Sequence, residues 1–125
     1  MSGKDAEISE AINEHRSRQF NSQKEIRRAG EIIFIAEKDR ARNKVVLAEV
    51  NNTADTVNMY RTLGRMFVLT PKKELIPFLE KKAEEIEETI KEGKATIETM
   101  EKHIKTSENR LRELIASKQS QAAAT

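Results

Sequence analysis

The chain has 125 residues, of which 37% are hydrophobic, only 4% aromatic and 35% charged, a balance too lean for a thick globular core. Its formal net charge is +2, with both signs interspersed as on solvated helix faces and coiled-coil flanks, which argues against a nucleic-acid partner. There is no Cys, so a disulfide framework and thiolate chemistry are excluded, and a reducing compartment is suited.

The first ten residues are polar and acidic, where a secretory signal needs a basic start and then an apolar core. No apolar run reaches the roughly 18 to 20 residues of a membrane span. The expectation is a soluble, cytoplasmic protein with no membrane partner. Asn51-Asn52-Thr53 matches a glycosylation acceptor in form, but on that expectation it reads as a turn.

From the N-terminus, Ile8, Ile12, His15, Gln19, Ser22, Ile26, Ala29, Ile33 and Ala36 recur in alternating steps of three and four, a heptad seam with several weak occupants. Its strongest part is Ile26 to Ala36, widened by Phe34 and Ile35. The pattern fades after Arg42. Asn43, Asn51-Asn52 and Asp55 read as helix-stop and turn residues, leaving Lys44–Val50 as either a short separate helix or the frayed end of the first.

Beyond Thr56 the character changes to β. Val57, Met59, Tyr60, Thr62 and Leu63 are followed by Met66-Phe67-Val68-Leu69, with Gly64 between them. Gly64 reads either as a bulge or as part of a tight turn through Leu63-Gly64-Arg65. Thr70-Pro71-Lys72-Lys73 is the stronger turn signal, which predicts a return strand Glu74-Leu75-Ile76 and a second helix opened by Pro77. A lone two-stranded hairpin is marginal in water. Because Met66 to Leu69 carry apolar side chains to both faces, their burial requires other chains.

The second helix has the clearer seam: Leu79, Ala83, Ile86, Ile90, Gly93, Ile97, Met100, Ile104, Ser107, Leu111 and Leu114. Glu and Lys fill the positions between. So narrow a stripe packs on one partner helix, and the first arm is the candidate. Arms of about 35 to 40 residues would be roughly 50 to 60 Å long at 1.5 Å per residue, and their equal lengths favour an antiparallel hairpin. That register places Ile12 near Leu114, Ile26 near Met100, and Ile33 with Phe34 near Gly93, whose missing side chain would make room for the Phe34 ring.

The expected organisation is a single mainly α domain over residues 1–125. It comprises a helix at about 8–50, a β-hairpin at about 57–76, a helix at about 77–117 and a flexible tail at 118–125. His15 and His103 are far apart and have no Cys or second His at ligand spacing, so no metal is expected. Carboxylates lie in helical charge runs without a nucleophile or base beside them, and no Gly-rich phosphate loop is present. Lys72-Lys73, Lys81-Lys82 and Arg27-Arg28 read as solvated faces. The chain is expected to be neither an enzyme nor a cofactor binder.

The run Asn58-Met59-Tyr60-Arg61-Thr62-Leu63-Gly64-Arg65-Met66-Phe67-Val68-Leu69, followed by Lys73-Glu74-Leu75 and a heptad helix, resembles the β-type subunits of prefoldin. The resemblance in architecture spans about Ile8 to Ser117, and the central dozen residues are its specific part. It implies a long antiparallel coiled-coil hairpin whose short β-hairpin at the bend joins an intersubunit β-barrel. The implied assembly is a heterohexamer of α- and β-type prefoldin subunits. It would capture unfolded chains such as actin and tubulin, without ATP, for the cytosolic chaperonin.

Carried over to this sequence, Met59, Tyr60, Leu63, Gly64, Met66, Phe67, Val68 and Leu69 would form the assembly strand region. Ile8, Ile12, Leu111, Leu114 and Ile115 would lie at the client-holding tip, where the alternative is that they only zip the arms together. Pro71 and Pro77 bracket the expected return strand, so it should be shorter than in the family. A structural coiled-coil scaffold without client binding is the competing function.

Overall fold

The computed structural model describes residues 3–124. Helix α1 spans Gly3–Asn52, strand β1 Tyr60–Leu63, strand β2 Met66–Leu69 and helix α2 Lys72–Ala124. Two compact units divide the chain, residues 1–31 with 93–125 and residues 32–92, and both helices contribute to each.

In the unit of residues 32–92, the helices run antiparallel and bury two small apolar clusters. Ala36, Ile86 and Ile90 form one, with Ile33 against it. Val50, Leu75 and Leu79 form the other, joined by Leu47, Met59 and Ile76. Across the helices, Arg40 Nε lies 2.6 Å from Glu87 Oε1, and Arg40 Nη2 donates to Glu87 Oε2 at 3.1 Å. Both side chains stand largely in water, so this forked pair adds less to stability than to register.

In the other unit, Ala11, Ser22, Gly93 and Ser107 are buried in the seam. Such small residues let two helix backbones approach closely. Arg110 pairs with Glu14 at 3.4 Å and Lys118 pairs with Asp5, in the antiparallel sense. Ala11 and Leu114 line one shallow recess, close to the register expected for Ile12 and Leu114.

The element boundaries differ from the expected ones. Helix α1 continues through Lys44–Val50, because Asn43 is buried in the seam and Leu47 and Val50 follow at helical spacing. The β-hairpin occupies 60–69 rather than 57–76. Glu74-Leu75-Ile76 is the start of α2 and not a return strand, since the i, i+4 pair Leu75 and Leu79 buries against Val50. Residues 118–124, expected as a tail, belong to α2, while Thr125 lies outside the described residues.

Helix α2 begins directly after Pro71, whose carbonyl accepts from Glu74 N at 3.0 Å and Leu75 N at 2.9 Å. Pro77 therefore falls inside the helix, not at its first position. Its missing N–H removes one backbone bond near the N-terminal end, which the burial of Leu75 and Leu79 offsets.

The Phe34 ring does not turn into the seam. It is exposed, with Lys38 Nζ 4.4 Å from its centroid. The expected packing of this ring into the seam is thus corrected: Phe34 lies on the solvent-facing side of α1.

Candidate functional site

Strands β1 and β2 are antiparallel, with Tyr60 opposite Leu69, Arg61 opposite Val68, Thr62 opposite Phe67 and Leu63 opposite Met66. Gly64 and Arg65 are the two loop residues. Gly64 has φ of 63°, and among the described residues no other has positive φ, the pattern of a turn of type II′ with Gly first. The chain reversal thus lies at Leu63-Gly64-Arg65 and not at Thr70 to Lys73. A two-residue loop of this kind matches strand twist, whereas Thr70-Pro71 delivers the chain into α2.

Opposed residues share a face, so Tyr60, Thr62, Phe67 and Leu69 occupy one face and Arg61, Leu63, Met66 and Val68 the other. Tyr60, Leu63, Met66, Phe67 and Leu69 are between 55% and 75% exposed. Apolar surface therefore meets solvent on both faces. Val68 and Arg61 are half-buried, and the Arg61 guanidinium lies 4.6 Å from the Phe78 ring centroid.

Met59, expected with them at the assembly interface, is half-buried like Val68. It packs on Val50, Leu75 and Leu79, so it anchors the hairpin to its own chain. Its carbonyl also accepts from Thr70 N at 2.9 Å, closing the hairpin base.

The connection from α1 is tied down by Lys72, at the first turn of α2. Its ammonium donates to Asn51 O at 3.1 Å and Thr53 O at 2.8 Å, and lies 3.5 Å from Asp55 Oδ1. A cation there satisfies terminal carbonyls and opposes the negative end of the helix dipole. Lys72 read as a solvated basic residue in the sequence. Only the fold brings it to the end of α1.

In the unit of residues 1–31 and 93–125, the five expected tip residues lie on α1 and α2. Ile8, Ile12, Leu111 and Leu114 are half-buried, whereas Ile115 is 39% exposed. The first four thus take part in the helix seam, and Ile115 presents the most open apolar side chain of the five. His15 Nδ1 lies 2.7 Å from Ser107 Oγ, which donates to Ile104 O at 2.9 Å. The hydroxyl has one proton, so His15 donates from Nδ1–H and Ser107 accepts.

Among the described residues, no group of three or more His, Asp and Glu could hold a metal. None of the described helices is long and apolar enough to cross a membrane.

Two long helices joined by an apolar β-hairpin define a coiled-coil assembly subunit. The family model described as "Prefoldin subunit" matches residues 16–118, and the chain belongs to that family of chaperone subunits. Similar sequences include prefoldin subunit 1 of Homo sapiens, 29% identical over 119 residues that cover 94% of this chain and 96% of the relative. Prefoldin subunit 1 of Arabidopsis thaliana is 35% identical over 79 residues, covering 63% of this chain and 62% of the relative. In fold, the chain matches the crystal structure of the prefoldin beta subunit from Thermococcus strain KS-1. The TM-score is 0.52 at 22% identity, over 91% of this chain and 90% of that one. The β-type character read from the central segment agrees with these relatives.

Proposed function

We propose that this chain is a β-type subunit of a heterohexameric, ATP-independent co-chaperone. It associates with α- and β-type prefoldin subunits through its β-hairpin, holds unfolded polypeptides of the actin and tubulin kind, and delivers them to the cytosolic chaperonin. The observation that carries the reading is the hairpin, with five large apolar side chains exposed on two faces. Contiguous exposed apolar residues mark an interaction surface, and each strand of a two-stranded sheet also keeps one open edge.

Client holding is assigned to Ile8, Ile12, Leu111, Leu114 and Ile115. The last apolar turns of a coiled coil leave part of their surface in water, and weak contacts repeated over several subunits gain from high effective concentration. The experiment is suppression of actin aggregation by the hexamer reconstituted from co-expressed subunits. Replacement of Ile8, Ile12 and Ile115 by Ser should weaken suppression without dissociating the hexamer. Full activity in that variant would refute the tip assignment. A stable hexamer with no holding activity of its own would favour the structural-scaffold reading.

A further inference from the structure

In the unit of residues 32–92, a cleft of about 370 Å³ lies between β1 and the adjoining parts of α1 and α2. Its floor is apolar, with Val46, Val50, Leu75 and Leu79, yet Arg61 and Lys82 also line it. No carboxylate does. The volume far exceeds the roughly 30 Å³ share of one water, so side chains fit.

Arg61 is held over the Phe78 ring, and its Nε is buried without a hydrogen-bond partner. A buried donor left unsatisfied is destabilising, more so when charged, and so calls for an acceptor. Among the described residues, neither Arg61 nor Lys82 has a carboxylate partner. Of the acids beside Lys82 on α2, Glu80 and Glu84 do not line the cleft, and Glu85 lines a separate groove with Lys82 and Asp39.

We infer that this cleft is a docking site for a carboxylate-bearing segment of a neighbouring subunit, with an Asp or Glu side chain received by Arg61 and Lys82. Charge complementarity selects the occupant: two cations above an apolar floor fit an acidic side chain flanked by apolar residues. Arg61 presents the planar fork that pairs with a carboxylate, and Lys82 adds a second charge. The site is continuous with the exposed hairpin, because Tyr60 and Thr62 of β1 border it. The inference rests on the assembly reading above and names the chemistry of the partner.

The test uses the complex from co-expressed subunits, treated with a carbodiimide that joins an amine to a carboxylate in direct contact. Mass spectrometry should find Lys82 coupled to an Asp or Glu of a different subunit. Arg61→Met, whose thioether retains a packing contact with Phe78, should keep the helical signal of the isolated chain while lowering apparent affinity for the other subunits by roughly thirtyfold or more. Arg61→Lys should recover part of that loss.

A wild-type complex in which Lys82 couples only to its own chain, for example to Glu85, would overturn the inference but leave the assembly reading intact. Coupling to a second copy of this chain would do the same, as would undiminished affinity of Arg61→Met. Failure of the wild-type chain to enter any complex would overturn both.

Discussion

Asn43 Nδ2 donates to the carbonyl oxygen of Leu79 at 3.1 Å, joining a side chain of α1 to the backbone of α2, with both residues buried. Asn43 is one of a buried series on α1, Ser22, Ala29, Ala36, Asn43 and Val50, that advances by sevens. A residue that reads as a helix stop is therefore a seam residue. A single buried Asn in a coiled coil favours the register in which its amide is satisfied, at some cost in stability. Asn43→Asp should destabilise the chain by about 2–4 kcal/mol, since a buried carboxylate would face the Leu79 oxygen with no proton to give. Urea unfolding followed by circular dichroism measures this. Part of the loss should return in acid, where a protonated carboxyl can donate.

The His15 and Ser107 pair should behave as one coupled unit. Ser107→Ala and His15→Ala should each cost about 1 kcal/mol, and the double variant less than the sum. A double-mutant cycle from denaturant melts gives the coupling. Strict additivity would mean that the contact contributes nothing.

At Gly64, a β-branched residue cannot hold φ of 63° without strain. Gly64→Val should cost about 1–2 kcal/mol locally and disorder the hairpin. Both helices should survive, because the clusters around Ile86 and Leu79 do not involve the turn. Amide hydrogen exchange should show faster exchange confined to residues 60–69. Loss of protection throughout α2 would contradict this.

Phe67 is 75% exposed in the single chain, so Phe67→Asp should leave its helical signal and melting unchanged. In an assembled interface the same carboxylate would be buried without a partner, at a cost of several kcal/mol. Size-exclusion chromatography with light scattering on co-expressed subunits should show the variant excluded from the hexamer. An intact hexamer would reject Phe67 as an interface residue.

Much of the fold was legible as periodicity. Ile86, Ile90 and Leu79 recur at heptad spacing, and Met66 to Leu69 read as strand, because those patterns depend only on which face each residue occupies. The boundaries were less legible. Pro71 and Pro77 carry strong local turn and helix-start signals, yet Leu75 packing on Val50 and Leu79 outweighs one lost backbone bond and draws residues 72–76 into α2. Of the candidate site, the apolar strand character of Tyr60, Leu63, Met66, Phe67 and Leu69 is readable in the local sequence, and the fold leaves all five exposed. The packing of Met59 on Val50, Leu75 and Leu79 leaves no mark in local sequence.

The sequence by itself determined two heptad helices and an apolar β segment between them, since amphipathic period and β-branched or aromatic content are local properties. Only the tertiary structure decided that Asn43 bonds Leu79, that Lys72 caps α1 and that Arg61 borders an apolar cleft without an acidic partner. The first two join residues distant in sequence, where the gain comes from satisfying a buried polar group or terminal carbonyls. Such groups have no preferred partner until the helices have paired.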